Sequence, residues 1–452
     1  MTKKKHKRVQ FTSKFGVIAA ATGSAVGLGN IWKFPYITGQ HGGAAFLVVY
    51  LCFIVTIGSS VMLAEFFIGR KSRKNAFGAF KKLAPKSAWK YSGILGIIAS
   101  MLIISFYTVV SGWAIEYTFL ALKNSFVDQN TEQLASLFTN FTQSPFTPLL
   151  YQFIFLCATA GILFAGVKNG IEKGSKFMMP LLVLIIIILD IKSLSLPGAS
   201  RGLEFLFKPD FSKLTSEAIL AALGHAFFSL SLGAGSLITY GSYINNENNL
   251  VRTTCQITLA DTLIAILAGV AILPAVFAFG INPCEGPGLV FITLPNIFTQ
   301  MSGGYFFAIL FFLLLTLAAL TSSISILEVI VVYFSEELKM KRRAAIIVAT
   351  CMIMLAGTIC SLSLGAYHEL NIGGMNIFDG ADWLASNILL PLSGLLISLF
   401  IGWKLPKQSI YDELRKGSRV TMNFVNVFVF IVRYIAPIGI ILVFLNGLGI
   451  FS

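Results

Sequence analysis

The sequence predicts an all-α polytopic membrane protein of eleven transmembrane helices, ten of them in a 5+5 repeat whose helices 1 and 6 are broken. Three observations predict it. Of 452 residues, 56% are hydrophobic and only 12% charged, and the mean hydropathy of +0.80 lies well outside the range of soluble domains. Apolar stretches of about 20 residues, the length that crosses a bilayer, recur eleven times. Two of these stretches, the first and the sixth, are crowded at mid-length with glycine, serine and polar residues. A bilayer tolerates an interrupted helix only where the freed backbone is buried in protein or lines a cavity.

Taken in order, the spans are expected at 13–38, 44–69, 91–122, 148–166, 177–194, 216–241, 253–280, 304–335, 344–364, 381–403 and 424–449. This divides the chain into a basic N-terminus (1–12), a first repeat (13–194), a second repeat (195–403), and a loop with span 11 (404–452). The segments 123–147, 195–215 and 281–303 are long enough for small helices outside the membrane, and Pro283, Pro287 and Pro295 punctuate the third. The 34 basic residues are distributed unequally. With the N-terminus inside, 27 of them fall on the inner side: in the N-terminal cluster with Lys14, in 70–90, 168–176, 339–343 and 404–419, and at Arg252. Five lie outside (Lys123, Lys192, Arg201, Lys208 and Lys213), and Lys33 and Arg433 lie within spans. That asymmetry obeys the positive-inside rule and places the protein in the cell membrane, multi-pass, with a cytoplasmic N-terminus and an outer C-terminus. Charge spread over loops on one side also argues against nucleic acid as a partner and identifies the lipid bilayer as one.

The apolar run after Lys3-Lys4-Lys5-His6-Lys7-Arg8 is too long for a cleavable signal peptide and lacks a small-residue cleavage pattern. Cys52, Cys157, Cys255, Cys351 and Cys360 fall inside apolar runs, Cys284 outside them, and no CxxC occurs. Neither a disulfide framework nor a metal cluster is indicated.

The first break is Gly23-Ser24-Ala25-Val26-Gly27-Leu28-Gly29-Asn30, followed by Lys33 and Pro35. The second is Phe227-Phe228-Ser229-Leu230-Ser231-Leu232-Gly233-Ala234-Gly235-Ser236. Alone, either fits close packing through small residues. Each, however, opens a group of five spans, and paired interrupted helices at matching positions of two halves point to a binding site at the repeat interface.

These residues resemble the neurotransmitter:sodium symporter family, in its bacterial amino-acid branch. The resemblance rests on Gly27-Leu28-Gly29-Asn30 with Phe34-Pro35-Tyr36, Gly42-Gly43-Ala44-Ala45-Phe46, and Glu65-Phe66-Phe67-Ile68-Gly69-Arg70. It continues through Ser229-Leu230-Ser231-Leu232-Gly233, Gly286-Pro287-Gly288-Leu289-Val290-Phe291 and Leu320-Thr321-Ser322-Ser323, covering spans 1–10 in order. It implies a 5+5 inverted-repeat transporter fold and a sodium-coupled symporter, not an enzyme, that imports an α-amino acid by alternating access. A substrate between spans 1, 3, 6 and 8 is implied, with its carboxylate on the N–H groups of Leu28 and Gly29 and on Tyr107. Its ammonium would meet carbonyls of Ala25, Phe228 and Ser231 and the Ser231 hydroxyl. Gly27 stands where amine-transporting relatives carry an aspartate, which favours a substrate bearing its own carboxylate. The implied side-chain pocket is Val26, Ile103, Tyr107, Phe228, Ala234, Ser322 and Ile326. The small Ala234 leaves room for a bulky hydrophobic or aromatic substrate unless a neighbour such as Phe227 fills it.

Two sodium ions are implied. One would take the Ala25 carbonyl, Asn30, Ser229 and a side chain of span 7; the other would take carbonyls of Gly23, Val26 and Ala318 with the hydroxyls of Thr321 and Ser322. Asp261 sits either where relatives place an asparagine ligand or one turn from where chloride binds in chloride-dependent members. A carboxylate within a span is costly, so Asp261 reads as the charge that removes a chloride requirement, with proton return a further role. Glu65 is expected to brace the broken parts of spans 1 and 6, whereas Glu328 has no evident role. Arg8 with Glu336, helped by Ser242 and Tyr243, would form an inner gate, and Lys33 with Asp382 an outer one, Asp379 being the rival partner. Phe11 replaces the family's tryptophan, and Lys33 its usual arginine, giving up a bidentate fork. His41 and His225 replace amide side chains and read as structural. The enzyme reading finds no HExxH, GxSxG or other catalytic motif. A channel or a non-transporting sensor on the same fold is the alternative.

Overall fold

A computed structural model describes residues 8–281, 288–365, 367, 369, 371, 372 and 374–450. Expectations resting on Lys3 to Lys7, Pro283, Cys284, Gly286, Pro287 and the last two residues lie outside the described residues. Nine described helices are long and apolar enough to cross a membrane. They are Ala44–Ser72, Lys90–Leu122, Thr147–Phe164, Val167–Leu194, Leu250–Ala278, Gly304–Glu336, Arg342–Leu362, Ile377–Lys404 and Met422–Gly447. A tenth is the pair Lys14–Ala25 and Gly29–Gln40, bent by 54°. Where span 6 was expected stand Ser216–Ser229 and Ser236–Gly241, each too short to cross alone. Shorter helices fill the connections at Ala76–Leu83, Thr131–Gln143, Ala199–Phe207 and Lys407–Leu414. Leu289–Gln300 is another, and a two-stranded antiparallel ribbon pairs Asn371 with Asn376.

The 33-residue spans 3 and 8 run along one another and form the central wall. Span 1 packs on spans 5, 7 and 8, which brings its break against Thr321 and Ser322. Four helices absorb a proline in the same way. The residue before Pro35, Pro295, Pro391 or Pro437 donates its N–H five residues back, as Phe34 does to Gly29. Proline would otherwise clash with the carbonyl four residues earlier, and one widened turn moves that carbonyl aside.

Span 5 corrects an expectation. Its helix starts at Val167 rather than 177, because the polar stretch Lys168 to Lys173 is its first turns. Glu172 there is buried and accepts from the Thr12 N–H at 2.8 Å and the Thr12 hydroxyl at 2.6 Å. It also accepts from Ser13 Oγ at 3.2 Å and pairs with Lys176 at 2.7 Å. The carboxylate thus holds the segment leading into span 1, and only Gly16 leaves room for it.

Candidate binding site at the helix breaks

The first break begins where Val26 turns extended after closing the last helical bond to Thr22. Asn30 caps the restart by accepting the Gly27 N–H at 3.1 Å, and the Leu28 N–H reaches Tyr107 Oη at 3.0 Å. None of Gly23, Gly27 and Gly29 has positive φ. They are there for space. A Cβ on Gly27 would lie 2.5 Å from both Ser322 Oγ and Tyr107 Oη, and one on Gly29 would lie 3.1 Å from the Phe228 ring. In the second break Ser231, Gly233 and Gly235 do take positive φ, and Ser231, a non-glycine there, is strained. Glu65 accepts the Gly233 N–H at 2.7 Å, Ser100 donates to the Ala234 carbonyl at 2.5 Å, and Ser231 Oγ donates to the Ser24 carbonyl at 3.1 Å. The last contact ties the two breaks together. Glu65 thus braces the break of span 6.

Two oxygen-rich clusters flank the first break. In one, the Asn30 amide donates to Ser229 Oγ (3.1 Å) and to Asp261 Oδ1 (2.9 Å), while Ser229 donates to Asp261 Oδ2 (2.9 Å). Asp261 is fully buried, and Tyr50, which sequence reasoning missed, donates to Ser229 at 3.2 Å. In the other, Thr321 Oγ1 reaches the carbonyls of Ala318 (3.0 Å) and Val26 (3.4 Å). Ser322 Oγ reaches those of Val26 (2.8 Å) and Gly23 (3.4 Å). All five expected donors of this set converge. Oxygens of carbonyls, hydroxyls and a carboxylate are what a hard monovalent cation requires.

Between the clusters lies a cavity of about 30 Å³ lined by Ala25, Gly27, Gly29, Ile103, Tyr107, Phe228, Ser231, Ala234, Ser322, Ile326 and Leu390. A second, of about 110 Å³, lies beyond Tyr107 and Phe228, which border both; Leu28, Lys33, Phe378, Asp379 and Asp382 also line it. Two expectations are corrected here, and one lining residue is new. Val26 is buried away from the small cavity and offers its carbonyl instead of its side chain. Phe227 does not fill the space near Ala234; its ring lies against Gly394, where a Cβ would come within 2.7 Å. Leu390, unforeseen, takes that wall.

The charged pairs bracket this site. Arg8 bonds Glu336, whose other oxygen takes the Asn75 N–H at 3.0 Å and its side-chain amide at 2.8 Å. Arg8 also lies 4.8 Å over the Tyr243 ring, and Phe11 packs edge-on against Tyr240 and Tyr243. Ser242 is a correction: its hydroxyl donates to Thr239 of its own helix, and its carbonyl takes Arg73 at 3.2 Å. Glu328 gains partners that its sequence position did not suggest. Arg342 holds it through two bonds at 2.9 and 2.8 Å, and the Tyr243 hydroxyl donates to it at 2.7 Å. At the other end Lys33 stands 3.9 Å from Asp382 and 4.4 Å over the Phe228 ring. Asp379 is engaged by Asn376 at 2.7 Å. His225 is buried against Phe34 and Tyr50, and His41 stacks on Phe46.

Comparison with known proteins follows the same outline. The sequence model of the sodium:neurotransmitter symporter family matches residues 8–135 and 146–451. A Bacillus subtilis protein named as sodium-dependent transporter YhdH is 41% identical over 446 residues, 99% of either chain. A sodium-dependent transporter of Haemophilus influenzae is 37% identical over 99% of this chain and 100% of its own. Among solved structures, MhsT in complex with L-phenylalanine superposes with a TM-score of 0.90 at 46% identity, covering 98% of this chain and 100% of that one.

Proposed function

The chain belongs to the sodium:neurotransmitter symporter family, and we propose that it imports a bulky hydrophobic or aromatic α-amino acid across the cell membrane, coupled to two sodium ions and independent of chloride. Its eleven spans would set the N-terminus in the cytoplasm and the C-terminus outside. The observation that carries the reading is the pairing of the two oxygen clusters with the small cavity between them. One cluster holds Asp261, Asn30 and Ser229; the other holds Thr321, Ser322 and the carbonyls of Gly23, Val26 and Ala318.

The residues divide the work by their chemistry. Leu28 N–H and Tyr107 Oη, now bonded to one another, part to receive the substrate carboxylate. That carboxylate completes the first cluster around sodium, so substrate and ion bind together. Ile103, Ile326, Leu390 and Phe228 offer apolar contact, and Ala234 leaves room beside them. A cavity of about 30 Å³ holds no more than a water, so Phe228 and its neighbours must shift as a side chain enters. The complex of MhsT with L-phenylalanine supports this class of substrate. In this reading the pairs Lys33–Asp382 and Arg8–Glu336, both formed, would close the site at either end. Alternating access then opens one pair at a time, and loss of the ion at Thr321 and Ser322 frees the inner half of span 1.

Purified protein in proteoliposomes tests this. An inward sodium gradient should drive accumulation of leucine-like or aromatic amino acids, and binding competition among the twenty amino acids identifies which. Leak without accumulation would mean a channel; binding without uptake would mean a sensor. Thr321→Ala should lower sodium-stimulated binding by tenfold or more, about 1.4 kcal/mol. Unchanged sodium dependence would remove Thr321 from the ion site.

A further inference from the structure

The inner end of span 7 opens sideways on a cleft of about 410 Å³ that the transport cycle above does not use. Lys14 at the start of span 1 forms one side. Arg252, Thr253 and Gln256, from the first two turns of Leu250–Ala278, form the other, with Glu247 from the loop before them. Lys14 and Arg252 are exposed and enter no ion pair among the described residues. Thr253, only 7% exposed, also lines the cleft. A 29-residue helix begins at this wall, so the positive end of its dipole adds to the two cations. Two unpaired cations with a threonine beside them in one cleft are an arrangement for an anion with several oxygens.

The surroundings say what kind of molecule carries that anion. Leu259 and Leu263 follow Arg252 and Gln256 at seven-residue spacing, hence on one face of the helix. They are 70% and 52% exposed, and Phe15, beside Lys14, is 55% exposed. A charged cleft with exposed apolar residues farther along the same helix face fits an amphiphile better than a soluble ion. Glu247, exposed, is the one carboxylate in the lining. Two cations against it leave a single positive charge, which matches one phosphodiester. We infer that this cleft binds the headgroup of an anionic phospholipid, its phosphate on Lys14, Arg252 and Thr253 and its acyl chains on Leu259 and Leu263. The lipid bridges the inner half of span 1 to span 7 and so favours the state in which that half is closed.

The test reads binding, not transport, and is therefore separate from the function proposed above. Full-length protein in neutral detergent is titrated with short-chain phosphatidylglycerol, short-chain phosphatidylcholine or inorganic phosphate. Thermal unfolding and native mass spectrometry are the readouts. Phosphatidylglycerol should raise the unfolding midpoint and remain bound; the other two should do neither. Lys14→Gln combined with Arg252→Gln should weaken phosphatidylglycerol binding by about tenfold or more. Thr253→Val should weaken it less, and Lys339→Gln, a loop cation away from the cleft, should leave it unchanged. Should the double variant not fold, Thr253→Val decides. Equal stabilisation by inorganic phosphate would overturn the lipid assignment. Equal binding of phosphatidylcholine, or undiminished binding in every cleft variant, would overturn the headgroup site.

Discussion

Gly27 acts through the side chain it lacks. Its missing Cβ leaves room for Ser322 Oγ and Tyr107 Oη, each only 2.5 Å from where that atom would be. Neither can retreat cheaply, since Ser322 also bonds the Val26 carbonyl and Tyr107 the Leu28 N–H. Gly27→Ala should therefore weaken both substrate and sodium binding by tenfold or more in a filter or scintillation assay. Binding at wild-type strength would show that the close approach is not kept in the working site. Asp261 makes the complementary case: in the proposed function it would supply a charge that otherwise must come from solution. It is buried and held by Asn30 and Ser229. Replacing chloride by gluconate should leave sodium-driven uptake unchanged, and a strict chloride requirement would refute that role for Asp261.

Helices here come close enough for backbone to touch backbone, and glycine sets where. A Cβ on Gly69 of span 2 would fall 2.1 Å from the Ile238 carbonyl and 2.9 Å from the Ser242 nitrogen in the inner half of span 6. Alanine normally favours a helix over glycine by up to about 1 kcal/mol, but here it must push two helices apart, an overpacking cost of about 1–3 kcal/mol. Gly69→Ala should lower the unfolding midpoint in detergent. A raised midpoint would show that helix propensity outweighs the contact. The same closeness explains Val167–Leu194. Its polar first turns look like loop in a hydropathy scan, yet Glu172 is satisfied by Thr12, Ser13 and Lys176, so the helix keeps them.

Across the molecule, the Arg70 end of span 2 is bolted to the helix Lys407–Leu414 by one buried pair. Arg70 Nε reaches Glu413 Oε1 at 2.8 Å, and its other nitrogens take the carbonyls of Asn248 (2.7 Å) and Glu413. Burial alone would raise the Glu413 carboxyl, but the Lys416 hydrogen bond and the Arg70 charge outweigh it and hold it below the ordinary glutamate value. A carboxyl depressed in the folded state stabilises above its unfolded pKa, and that contribution is lost as pH falls through the folded one. Glu413→Gln should cost about 3 kcal/mol at neutral pH, since it leaves Arg70 buried without a counter-charge. The midpoints of variant and wild type should converge as the medium is acidified below the glutamate range. A gap independent of pH would mean that the pair contributes packing and no charge.

Much of this was legible in the chain. Spans of sufficient length, the two interrupted stretches and the hydroxyls Thr321 and Ser322 follow from hydropathy, composition and motif, because a bilayer forces every backbone group to find a partner nearby in sequence. Contacts between distant residues are free of that constraint. Nothing local couples Glu328 to Arg342 and Tyr243, Tyr50 to Ser229, or Phe227 to Gly394. Nor does the sequence reveal that the glycines of the first break serve close approach alone while those of the second also take positive φ. That distinction depends on what the opposite helix places against them. Composition and periodicity sufficed for where the helix must stop; only packing decided which atoms meet in the gap.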